Sequence, residues 1–192
     1  MVLDKIGCAP SDVSPLDEID ISCKNSGSSH YSFLTCKLFS LSHKTRMSYQ
    51  IAYDTTRAPP RGAALVAFME DFYRTSDTES LHEKYVQSFT EDATLIMGPK
   101  EAKGASEILP LRQGLWTHVA SRRHTPTQVY FGSDDELMLY GGVNYRLKAN
   151  PDNDVYVPWA GRVVFAPQKG DEEIKMQFYQ VYLDTAAQSG KK

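Results

Sequence analysis

No apolar run in the chain approaches the roughly 20 residues that a membrane-spanning helix requires, and the mean hydropathy of -0.42 agrees. Cysteine is scarce, with three in 192 residues. Three cannot all pair within one chain, and no C-x-x-C or Cys/His cluster accompanies them, which argues against a disulfide scaffold or a zinc module. Neither sign of charge dominates. The 21 basic and 24 acidic side chains leave a net charge of -3, so nothing electrostatic points to a nucleic-acid or membrane partner. Also missing are the G-x-S-x-G elbow, the G-x-x-x-x-G-K-[ST] loop and G-x-G-x-x-G. His82-Glu83 has no second histidine four residues on, and Arg122-Arg123 between His118 and His124 would repel a cation. No metal and no cofactor is expected.

What remains is the composition of an ordinary soluble domain, 41% apolar and 23% charged. A cytoplasmic location is expected. All three cysteines, Cys8, Cys23 and Cys36, fall in a first segment whose apolar residues keep no sustained period. Asp4, Asp12, Asp17 and Glu18 come too early for a signal peptide or a transit peptide. Residues 1–46 are therefore expected to be disordered, or to precede a natural start at Met47. Residues 47–60 make an extended lead-in, 61–186 the domain and 187–192 a flexible tail.

Within the domain, Leu65, Phe68, Met69, Phe72 and Tyr73 form the stripe of an amphipathic helix. Ser76-Asp77-Thr78-Glu79 has capping-box spacing and predicts a second helix with Leu81, Tyr85 and Phe89 on its apolar face. Residues 93–97 read as a short buried strand. Ser106 is expected to cap a third helix bearing Ile108, Leu111, Leu115 and Val119, with Pro110 in its first turns. The period then changes to two. Strands are expected over 124–131, 137–148, 155–166 and 174–185, joined by turns into an antiparallel meander.

Register follows if the Asn150-Pro151-Asp152 turn is symmetric. Tyr145 then faces Val157, Val143 faces Trp159 and Leu139 faces Val163, all on the core side, with Tyr140, Asn144, Arg146 and Arg162 opposite. In the last strand Ile174, Met176, Phe178, Gln180 and Tyr182 share the core-facing phase, and Tyr179 the other. One bulge inverts any such assignment. The fold class is α+β, three N-terminal helices on one face of a curled antiparallel sheet.

Several segments carry a family resemblance. They are Tyr85-x3-Phe89-Thr90-Glu91-Asp92-Ala93-Thr94, Arg123-His124, Leu139-Tyr140-Gly141, Trp159-Ala160-Gly161-Arg162 and Tyr179-Gln180-Val181-Tyr182-Leu183-Asp184. Together they resemble the nuclear-transport-factor-2-like superfamily, and within it the SnoaL-like polyketide-cyclase branch and its short fungal members. The likeness spans roughly residues 58–185. It implies a cone-shaped α+β barrel with an apolar pocket, suited to an apolar small molecule held by a few polar groups. It also implies a homodimer through the outer sheet face, where Arg162, Tyr140 and Asn144 lie.

The same resemblance aligns His124 with the acid/base histidine of the scytalone-dehydratase branch. Imidazole exchanges protons near neutral pH. Strict alternation from Val129 and Phe131 sets His124 on the outer face, unless Pro126 marks a bulge. Where ketosteroid-isomerase-like relatives place a carboxylate base, this chain has Met97, and a thioether takes no proton. Strand order brings His124, Tyr156 and Asp184 to one rim, so Asp184 is the expected orienter of the imidazole. Tyr145, Gln180 and Tyr182 either polarise a substrate carbonyl or satisfy one another. Tyr73, Tyr85, Trp116 and Trp159 either line the pocket or fill the core. Two readings stand: a cofactor-free isomerase, cyclase or dehydratase on a polyketide- or terpenoid-like substrate, or a non-catalytic binding or dimerisation module.

Overall fold

The first helical stripe forms as its spacing predicts. In the computed structural model, which describes residues 49–167, 170 and 172–188, helix α1 (Gly62–Ser76) buries Leu65, Met69, Phe72 and Tyr73. The three cysteines, the whole expected N-terminal segment (1–46), the first two lead-in residues (47–48) and the tail from 189 lie outside the described residues. Helix α1 packs its aromatic side chains on the sheet. Phe68 meets Phe165 edge-on at 5.5 Å, Phe72 meets Tyr179 at 5.5 Å, and Tyr73 lies 5.2 Å from Trp159. Each such pair adds about 0.5–1.5 kcal/mol beyond the area it buries.

Helix α1 runs further than expected. Ser76 is its last residue and Asp77 its C-cap, so the capping-box reading of Ser76–Glu79 is corrected. Helix α2 is a short piece, His82–Gln87, and Phe89 belongs to the strand after it. Helix α3 spans Gly104–Gly114, entered through Gly104 at φ 67°, a conformation in which glycine carries no Cβ penalty. Glu107, in the first turn, accepts the Lys103 backbone N–H at 2.8 Å and satisfies one donor at the helix start. This earlier start puts Pro110 inside the helix. Arg112, one turn after the buried Ile108, faces fully inward, and Leu111 only partly.

The strands are β1 (Ala52–Tyr53), β2 (Phe89–Met97), β3 (Lys100–Lys103), β4 (Val119–Ser133), β5 (Glu136–Leu147), β6 (Asn150–Phe165) and β7 (Met176–Leu183). They form one seven-stranded sheet in the order β1-β4-β5-β6-β7-β2-β3. The β4-to-β7 meander is antiparallel, as its short loops require. The sheet as a whole is mixed, because the lead-in adds β1 parallel to β4 and β2 returns parallel to β7. A short helix α4 (Thr185–Gln188) follows. No helix among the described residues is long and apolar enough to cross a membrane.

Of three register irregularities, two change which side chains face the core. In β5–β6, Tyr145 pairs with Val155, Val143 with Val157 and Leu139 with Gly161, two residues from the expected register. The hairpin turns at Lys148-Ala149, and Pro151-Asp152-Asn153 bulge out of β6 instead. A shift of two preserves the phase, so Leu139, Val143, Tyr145, Val157, Trp159 and Val163 are all buried as expected. In β4 the pairing slips between Pro126 and Gln128. That bulge turns both His124 and Val129 inward, as Pro126 hinted. Gly141 sits opposite the bulge, where a Cβ would overlap the Thr125 carbonyl oxygen. In β7 a slip at Gln177 inverts the strand: Tyr179 and Val181 are buried, and Tyr182 is exposed.

Candidate active site

The end of α1 and the first half of β4 meet around one carboxylate. Asp77, whose side chain is 5% exposed, lies 2.5 Å from Nδ1 of His124. Its other oxygen accepts the His124 backbone N–H at 2.7 Å and the Tyr49 hydroxyl at 2.9 Å. Arg122 Nε stands 3.7 Å away. Burial alone would raise the Asp77 pKa, but the imidazole, these hydrogen bonds and Arg122 outweigh it and hold the carboxyl below its ordinary value. Burial and Asp77 together push the Tyr49 hydroxyl up to about 12, so it stays a donor.

His124 is held the other way. Burial lowers its pKa below 6.5, Arg122 and Arg112 add to the effect, and Asp77 offsets only part of it. At neutral pH the ring is uncharged. Its proton sits on Nδ1, donated to the carboxylate, which leaves the Nε2 lone pair as a base. The ring is packed against Tyr73 at 5.2 Å and against the edge of Trp159 at 5.8 Å.

Two buried arginines fix this corner. The last carbonyls of a helix lack partners of their own and carry the negative end of its dipole. Arg122 donates from Nε and Nη2 to the Ser76 carbonyl at 3.0 and 2.5 Å, and from Nη2 to the Ser76 hydroxyl at 2.9 Å. Arg112 Nη2 donates to the Thr78 carbonyl at 2.9 Å and the Thr75 carbonyl at 3.3 Å. Both guanidinium groups stack on Trp116, at 4.6 and 5.2 Å. Desolvation, then the neighbouring Arg122, pulls the Arg112 pKa down to about 10, still charged at neutral pH.

A cavity of about 30 Å³ lies beside the imidazole, lined by His124, Tyr73, Tyr145, Trp159, Met97 and Leu115 among others. It has room for a water-sized guest, well short of the roughly 300–1,000 Å³ of a drug-sized site. Tyr73 and Tyr179 share a hydrogen bond at 3.0 Å. Tyr145 has its pKa raised, by burial above all, and so remains protonated as a donor. The Trp159 indole N–H has no partner among the described residues. No group of three or more His, Cys, Asp or Glu among the described residues is placed to hold a metal ion.

No family model matches the sequence, and no curated protein matches it. Solved structures do. Nuclear transport factor 2 of Cryptosporidium parvum is similar at 13% identity with a TM-score of 0.54, over 66% of this chain and 98% of its own. The chain has the nuclear-transport-factor-2-like fold. A SnoaL-like polyketide-cyclase-type protein of Shewanella denitrificans matches at 12% identity and TM-score 0.52, over 65% of this chain and 93% of its own. A scytalone-dehydratase-like protein of Novosphingobium aromaticivorans matches at 19% and 0.50, over 64% and 83%. The NTF2-like fold is thus shared with proteins named for cyclase and dehydratase chemistry.

Within this NTF2-like frame the expected site residues divide. His124, Tyr145, Tyr73, Tyr85 and Trp159 line the same cavity. Trp116 is buried but serves as the platform for the two arginines. Asp184 is not the partner of the imidazole. It is exposed and accepts the Ala186 N–H at 2.9 Å, opening α4, while Asp77 holds His124. The β7 bulge turns Gln180 and Tyr182 outward, where the Tyr182 hydroxyl donates to Gln180 at 2.9 Å. Tyr156 also faces out, 62% exposed over Gly142. Sequence reasoning missed Asp77, although a signal exists. It lies four residues past Tyr73, which continues the buried stripe of α1 with a carboxylate.

Proposed function

We propose that the protein is a cofactor-free proton-transfer enzyme, an isomerase, cyclase or dehydratase acting on a polyketide- or terpenoid-like carbonyl compound. The observation that carries this reading is the Asp77–His124 hydrogen bond of 2.5 Å beside an aromatic-walled cavity. Nε2 takes a proton from a carbon next to the substrate carbonyl, and the electron pair released moves onto the carbonyl oxygen. Tyr145 donates a hydrogen bond to that oxygen. The imidazolium is stabilised by Asp77 and returns its proton to another carbon, giving an isomer, or to a departing hydroxyl, giving an alkene and water. The names of the similar structures support the substrate class.

The pH dependence follows from the direction of the His124 shift. Only the neutral ring is a base, and its pKa lies below 6.5. Nitrobenzisoxazole is a suitable probe, because loss of its C–H proton breaks the N–O bond and releases a coloured phenolate. Its rate should rise with pH through a midpoint below 6.5 and then level off. A rate that falls as pH rises through this window would contradict the reading.

A second reading, a non-catalytic dimerisation module, is favoured by the outer sheet face. Tyr130 and Tyr140 stack there at 6.4 Å, 58% and 45% exposed. Met138 and Tyr182 are exposed beside them. A dimer through this face should show twice the chain mass in light scattering, and Tyr140→Glu should make it monomeric. A monomeric parent chain would sink it.

A further inference from the structure

The cavity beside His124 is too small for the substrate class proposed above, but a larger hollow adjoins it. This hollow, of about 530 Å³, opens between the end of α3, the β5–β6 turn and the start of α4. Leu115 lines both spaces. Chain neighbours straddle the same wall, with Met97 on the cavity side and Lys100 on the hollow side, Leu183 on the cavity side and Thr185 on the other. The wall is therefore three half-buried apolar side chains, Met97, Leu115 and Leu183. Leu115 caps α3 directly after Gly114, around which a Cβ would meet nothing within 4 Å.

The hollow has a distinct chemistry. Leu115, Val119 and Leu147 give it an apolar floor, while Lys100, Lys148 and His118 supply nitrogen donors and no carboxylate among the described residues lines it. Lys148 is partly spent, donating to the Trp116 carbonyl at 3.0 Å with Glu79 at 3.9 Å. Lys100 makes no ion pair among the described residues. An apolar hollow rimmed by cations complements a molecule with an apolar body and an anionic end.

We propose that this hollow is the entry site for the His124 cavity and selects an apolar molecule ending in a carboxylate. Lys100 and Lys148 hold the anion while Leu115 moves aside for the reacting end. The inference rests on the proton-transfer reading of His124, and binding can be read without turnover. Calorimetric titration of the full chain with naphthoate and with neutral naphthamide tests it. Naphthoate should bind about tenfold more tightly. Lys100→Glu should abolish that preference. Lys103→Glu, on the same strand but paired with Glu101 at 3.3 Å, should keep it. His124→Gln should bind naphthoate like the parent, so turnover unchanged in this variant, with selectivity intact, would count against the functional reading alone. Equal affinities, no binding of either compound, or a Lys100→Glu chain with unchanged preference would overturn the entry site.

Discussion

Replacement of Arg122 by alanine is expected to cost about 3–5 kcal/mol of folding stability, the loss seen when one member of a buried charge pair is removed. The change strips the Ser76 carbonyl and hydroxyl of their donors at the end of α1. It also leaves Asp77 without its nearby guanidinium and uncovers the face of Trp116. None of these groups can turn to water, since Asp77 is 5% exposed and Trp116 3%. Arg122→Lys should recover only part of the loss, because an ammonium cannot reproduce the forked contact with Ser76. Arg123→Ala is the matched control. That side chain lies over the Tyr49 ring at 3.9 Å, a contact whose loss costs about 0.5–1 kcal/mol at a partly exposed site. Urea unfolding midpoints for the three variants separate these values. A loss below about 1 kcal/mol for Arg122→Ala would mean that the corner is not held as described.

The largest expected effect on rate is at His124. His124→Gln should slow nitrobenzisoxazole opening roughly a hundred- to ten-thousandfold, the usual contribution of a positioned base. Asp77→Asn should be comparably damaging for a different reason. An asparagine amide can donate to Nδ1, which moves the ring proton to Nε2 and removes the lone pair from the cavity. Far-ultraviolet circular dichroism should show both variants folded. Equal rates for the parent and His124→Gln would remove His124 from the chemistry.

The fold was legible because its signals are periodic. The α1 stripe and the two-residue alternation of β5 and β6 fixed the buried faces, and even a register error of two left them unchanged. The site was less legible because it depends on single-residue irregularities. Pro126 announced the β4 bulge that turns His124 inward, since proline cannot donate to a ladder. Nothing comparable marks the bulge at Gln177, so Gln180 and Tyr182 were expected inside and Tyr179 outside. Asp77 was hidden by a local pattern. Ser76-Asp77-Thr78-Glu79 satisfies the capping-box spacing, yet tertiary contacts to Arg122 and Arg112 carry α1 through Ser76 instead.

These irregularities converge on one claim, that Asp77 holds His124 as a neutral Nε2 base. Nitrogen-15 NMR of histidine-labelled protein tests it most directly, with the His124 signals among the five histidines assigned by their loss in His124→Gln. The Nδ1–H tautomer is expected at neutral pH, with a titration midpoint below 6.5. In Asp77→Asn the midpoint should fall further, because the carboxylate is the group that raises it. An Nε2–H tautomer, or a midpoint above 6.5, would mean that Asp77 does not hold His124 as an Nε2 base.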